Sequence, residues 1–129
     1  MDKQFVSLGE GAGNVGMSAA VRFGACIAVS GQVAMTETGE LVGKDDFDAQ
    51  IEQCFANLAS VLSQAGGSLA DVVSLTTYLS SREYARAFLA ARGRHFPVNP
   101  PATTTVIAQM LHPDFLVEIQ ALAAVGNPD

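Results

Sequence analysis

Positive charge is what this chain has least of. Seven Lys and Arg stand against thirteen Asp and Glu, giving a net charge of −6. Phosphate binding needs a cationic footprint, so this balance argues against a nucleic-acid partner. Four of the basic residues, Arg82, Arg86, Arg92 and Arg94, fall in one stretch and read as the wet face of a helix. Charge of either sign is also sparse, at 16% of residues, against about a quarter in an ordinary soluble chain. Less charge leaves more surface to be hidden, which leans toward an oligomer. The two cysteines, Cys26 and Cys54, make no disulfide framework and read as buried free thiols of a reducing compartment. The two histidines, His95 and His112, lack Cys or carboxylate partners at ligand spacing, so no metal site is expected. No apolar run reaches the ~18 residues of a membrane span. The start, Met-Asp-Lys-Gln-Phe, lacks the apolar core of a signal peptide, and the cytoplasm is the expected location.

What is present is apolar patterning. Apolar residues make up 49% of 129 residues, enough for one domain with its own core, expected to span 1–129. Lys3–Leu8 alternates weakly and suggests an edge strand. Gly9–Gly16 holds four glycines and reads as a loop. Within it Gly11–Gly16 matches GxGxxG, but no buried strand precedes it and no helix pattern follows, so it is not read as a nucleotide fingerprint. Ala19–Phe23 and Ala25–Ser30 read as strands, and Thr36–Glu40 as a turn. Phe47, Ile51, Cys54, Phe55, Leu58, Val61 and Leu62 form one helical stripe, capped by Asp45 or Asp46 and ended by Gly66-Gly67.

Val72–Leu79 predicts a strand with Val73, Leu75, Thr77 and Leu79 on one face and Val72, Ser74, Thr76 and Tyr78 on the other. A second helix follows Ser80 or Ser81, turns Tyr84, Ala87, Phe88 and Ala91 inward, and is stopped by Pro97, Pro100 and Pro101. Thr103–Met110 and Phe115–Val125 are the last strands, the first rich in β-branched residues. This order predicts an α+β fold: one mixed sheet with both helices on one face. In the last strand Val117, Ile119, Ala121, Ala123 and Val125 would lie under the helices. Leu116, Glu118, Gln120 and Leu122 face the other way, with Thr104, Val106, Ala108 and Met110 beside them. That second face is half apolar, and closing it against copies of the same chain would take it out of water.

Several short segments, in order and at fixed spacing, resemble the Rid (reactive intermediate deaminase) or YjgF family. They are Ser30-Gly31-Gln32, Thr38–Val42, Gln50 with Asn57-Leu58, Ala65–Val73, and Pro101-Ala102 leading to Val117-Glu118-Ile119. The resemblance covers roughly residues 17 to 125. It implies a chorismate-mutase-like fold of the bacillus type, with a six-stranded sheet, two helices on one face and a homotrimer. It also implies a small-molecule ligand in clefts between subunits, hydrolysis of imines and enamines, and no metal or cofactor. In the family's deaminases an arginine stands at the position of Thr103 and holds the substrate carboxylate, a task suited to its planar fork. Met17 stands for a tyrosine, and Phe88 for an asparagine. Ser30, Gly31 and Thr105 match or adjoin positions lining the family's site. Glu118, fifteen residues after Thr103, is kept.

Two readings follow. One is a Rid-like hydrolase in which Glu118 orients water and carries a proton, on a substrate held otherwise than through residue 103. Ordinary 2-imino acids are then expected to be poor substrates. The other is a trimer that binds a small metabolite or a partner without chemistry. Ribonuclease activity, attached to some family members, ranks last because the chain is acidic. His95 and His112 are minor candidates. No nucleophile-elbow motif occurs, and no base adjoins the Thr103–Thr105 hydroxyls in sequence.

Overall fold

A computed structural model describes residues 1–9 and 15–126. Gly11–Asn14, the bulk of the GxGxxG stretch, lies outside the described residues, and with it the question of whether that loop covers a site. The strands are β1 (Lys3–Val6), β2 (Ala20–Phe23), β3 (Cys26–Gln32), β4 (Val72–Leu79), β5 (Ala102–Ile107) and β6 (Val117–Ala124). The helices are α1 (Phe47–Gln64) and α2 (Ala85–His95). One six-stranded sheet runs in the order β1-β2-β3-β6-β4-β5. Every pairing is antiparallel except β4 with β5, the two strands that α2 connects. This is the expected α+β architecture.

Helix α1 begins where Asp46 accepts a bond from the Ala49 N–H at 3.1 Å, filling one of the orphan donors of the first turn. Its stripe of Ile51, Cys54, Phe55, Leu58 and Leu62 is fully buried against the sheet, with Phe88 and Ala91 of α2 beside it. The sheet answers with Ile27, Val29, Leu75, Leu79, Val117, Ile119, Ala121 and Ala123. Each large side chain so buried contributes roughly 1.5–3 kcal/mol.

Three polar anchors fix the strand ends near α1. Gln50, fully buried, donates to the carbonyls of Gly43 (3.0 Å) and Asp114 (2.8 Å) and accepts from Leu116 N–H at 2.9 Å. Asn57 donates to the carbonyls of Val33 and Met35, both at 2.9 Å, just past β3. Arg22 donates to the Ala65 carbonyl at 2.8 Å, where α1 ends.

Strict alternation fails at one end of β4. Its register against β6 shifts between Val72 and Ser74. Val72 therefore joins Leu75, Thr77 and Leu79 in the core, and Val73 is turned out, 46% exposed. The expected faces for these two residues are exchanged, because a bulged residue reverses every side chain on one side of it. The last two strands are also shorter than their apolar patterns suggest, and Ala108–Leu116 forms the connection between them.

Candidate functional site

The site begins at a second irregularity. In β3, Val29 faces Ala121 of β6 and Gln32 faces Ile119, so Ser30 and Gly31 together oppose Gln120. Such a bulge bends the strand and re-aims its side chains. Ser30 donates to the Ser18 carbonyl at 2.6 Å, and its own N–H reaches the Ala19 carbonyl at 2.9 Å. That ties the bulge to the strand leading from Met17, a residue left 50% exposed. Gly31 lies under the side chain of Glu118: a Cβ at position 31 would collide with the Glu118 carboxylate. Ser30, Gly31 and Glu118 thus form one group, and Met17 precedes the Ser18 carbonyl that holds Ser30.

Glu118 is half-buried, and no described residue hydrogen-bonds or pairs with its carboxylate. Burial pushes its pKa above the ordinary carboxylate value. It faces away from the helices, in a row with Tyr78 of β4 and Val106 of β5. Beneath it the Cys54 thiol is pushed up to about 12, by burial first and the Glu118 charge second. Cys54 is therefore an inert thiol, as its apolar setting suggested.

Thr103 and Thr105 stand elsewhere. They occupy β5, the edge of the sheet, opposite Leu75 and Thr77 and so on the helix-covered face. Strand β4 lies between them and Glu118, putting Thr105 roughly 10 Å and Thr103 roughly 14 Å from it across the sheet, on opposite faces. One chain does not bring them together. Two concavities, one lined by Met1, Arg22 and Gly24 and one by Ser80 and the loop of Met110–Pro113, hold neither Glu118 nor Thr103.

Phe88 sits in the core, 0% exposed, and offers no surface of its own to a cleft. Above it lies Arg92, one turn further along α2, with Cζ 5.4 Å from the ring centroid. Arg92 is not simply part of a solvated helix face, as its basic stretch suggested. It is half-buried, and one Nη donates to Thr103 Oγ1 at 2.9 Å. The position without an arginine therefore has one beside it, delivered by another element. The sequence carried a weak signal: Phe88 and Arg92 are four residues apart, the spacing that stacks side chains on a helix.

The histidines are engaged otherwise. His95 stacks on Phe55 at 4.2 Å and meets Glu52 at 2.8 Å, and Arg94 meets the same carboxylate at 2.7 Å. Bonding from Arg94 is the main reason the Glu52 carboxyl is held below its usual range. His112 Nδ1 accepts from the Asp114 N–H at 3.1 Å. Among the described residues no three His, Cys, Asp or Glu converge as a metal site would require. Among them, too, no helix is long and apolar enough to cross a membrane.

A helix-covered mixed sheet, with one bare face and candidate residues gathered around a strand bulge and an edge strand, defines the chorismate-mutase-like class expected from the sequence. The sequence profile of the Endoribonuclease L-PSP family matches residues 13–125. The chain belongs to this family, the YjgF or Rid family. A RutC family protein of Pyrococcus abyssi is 35% identical over 107 residues, covering 82% of this chain and 84% of that one. A solved member of the YjgF/YER057c/UK114 family from Mycobacterium tuberculosis is 31% identical. It covers 96% of this chain and 100% of its own, with a TM-score of 0.84. The structure of RidA from an Antarctic Psychrobacter is 28% identical, covering 94% and 98%, with a TM-score of 0.83.

Proposed function

We propose that this chain is a Rid-like hydrolase that splits the C=N bond of a small imine or enamine. Its site lies in clefts between the subunits of a homotrimer, each subunit a single domain. The observation that carries this is Glu118: a half-buried carboxylate without a partner among the described residues, its pKa raised, held against the bulge at Ser30-Gly31. A carboxylate so placed exchanges a proton closer to neutrality than an exposed one does.

The chemistry needs no cofactor. An enamine first gains a proton at carbon and loses one from nitrogen, the tautomerisation that makes it an imine. Glu118 orients a water molecule and accepts one of its protons as the water oxygen bonds to the imine carbon. The C=N π bond breaks toward nitrogen, which takes up the proton that Glu118 returns. Collapse of the carbinolamine then forms the carbonyl and expels ammonia. In this reading Ser30 and Gly31 line the Glu118 side of the site in one subunit, with Met17 assigned to the same side. Thr103 and Thr105, on an exposed edge strand, would come from the neighbour, with Phe88 behind them supporting Arg92. The opposite faces of these two groups support a site completed by a second copy. Family membership supports a Rid-like role in general.

The test generates 2-iminopropionate with a pyridoxal-phosphate enzyme and follows its conversion to pyruvate. Residue 103 holds no cation, but the Arg92 guanidinium is bonded to it, so the protein is expected to accelerate hydrolysis and Glu118→Gln to lower turnover at least about 100-fold. Equal rates for the two proteins would remove Glu118 from the mechanism. Ligand binding with no acceleration by either would leave a non-catalytic binding protein.

A further inference from the structure

Of the five arginines, Arg92 is the one whose guanidinium is bonded to a candidate site residue, Thr103, and it has donors to spare there. Arg22 is bound to the carbonyls of Ala65 and Gly24, and Arg94 to Glu52. Arg92 has no carboxylate partner among the described residues. It is half-buried, and its position is set from two sides by the Phe88 ring and the Thr103 hydroxyl. A guanidinium has five N–H donors in a fixed plane, and Thr103 occupies one. The rest are presented beside β5, which as an edge strand also offers a row of backbone groups. One strand inward, on the face of Thr103 and Thr105, Thr77 Oγ1 is buried without a hydrogen-bond partner among the described residues. A cation, threonine hydroxyls and an open strand edge therefore meet on one side of the sheet.

We propose that Arg92, carried by α2, is the anion-binding residue of this cleft, and that it takes the carboxylate of a small monoanionic 2-oxo or 2-imino acid. Calling that acid a substrate rests on the hydrolase reading; the binding does not. Charge selects the class. One guanidinium balances one negative charge, and the next cation on α2, Arg94, is already neutralised by Glu52. A phosphate dianion would stay half-compensated on a chain of net charge −6. A planar carboxylate matches the fork with two parallel bonds. Thr103 then takes a new meaning: its hydroxyl holds the anchor in place, so that less freedom is lost when the anion binds. The expectation that 2-imino acids are poor substrates assumed no cation at this point, and Arg92 removes that assumption.

Pyruvate is the probe, titrated into the intact protein and followed by amide chemical shifts, with inorganic phosphate in a parallel titration. Wild type is expected to bind pyruvate saturably and in preference to phosphate. Arg92→Gln should weaken pyruvate at least about tenfold. Thr103→Val, which frees the guanidinium, should weaken it less, and Arg94→Gln should leave it unchanged. Arg92→Lys keeps the stem and charge without the fork and should fall between, so it carries the test if the Gln variant fails to fold. Pyruvate binding that ignores Arg92→Gln, a preference for phosphate, or no pyruvate binding by wild type overturns the assignment. Pyruvate held through Arg92 without imine turnover would sink the hydrolase reading and spare this one. Turnover with an unchanged KM in Arg92→Gln would do the reverse.

Discussion

Glu118 sits partly withdrawn from water with no donor among the described residues to compensate it, and this ties the stability of the fold to acidity. Its folded pKa lies above its unfolded value, so across the window between them the folded state holds the extra proton. Stability contributed by the neutral form is present at low pH and is lost as pH rises through that window, leaving a penalty above it. Glu118→Gln removes the penalty. Its thermal midpoint is expected to exceed wild type near pH 7, about the neutral end, and to converge with it below about pH 4. A variant less stable than wild type at neutral pH would mean that the charge has a partner. Glu118 enters as a candidate through the resemblance to the Rid deaminases, which keep a carboxylate fifteen residues after the position of Thr103. Arg92 was not legible in the sequence. Its spacing suits a wet helix face equally well, and only the packing of α2 on β5 turns it toward Thr103.

At the level of strands and helices, amphipathic stripes specify the layers, whereas bulges have no periodic signature. The stripe from Phe47 to Leu62 gave α1 directly, and alternation in Val117–Ala123 gave the buried face of β6. A one-residue bulge leaves no mark in composition, so the reversal at Val72 and Val73 and the pairing of Ser30-Gly31 against Gln120 had to come from register. The β3 bulge makes a direct test. In Gly31→Ala the new Cβ would occupy the place of the Glu118 carboxylate, which is the free end of a flexible side chain and can swing away. Stability should change by less than about 1 kcal/mol in urea unfolding, while imine turnover should fall nearly as far as in Glu118→Gln. Full turnover in Gly31→Ala would show that the position of the carboxylate over the bulge does not matter.

The whole molecule keeps its two sheet faces unequal. Helices cover one, and the other leaves Phe5 65%, Val73 46%, Val106 42% and Leu122 40% exposed. Sparse charge and half-apolar alternation announced this face in the sequence, but which copy meets which strand depends on shape that no single strand encodes. Leu122→Asp sets a charge in the middle of the bare face. It is expected to convert the assembly to monomers by light scattering while the circular dichroism of the helices persists. A wild-type protein that is itself monomeric would contradict the closure argument. The parallel pairing of β4 with β5 requires α2 to cross between them, and the same crossing lays Arg92 on Thr103, only 11 residues away in the chain. One half of the proposed cleft is thus inherited as a single uninterrupted stretch of gene. A lineage could move its cation from strand to helix by local mutation there, with the codons for the Glu118 half untouched, and a column-by-column comparison of relatives would record a loss where the molecule had made an exchange.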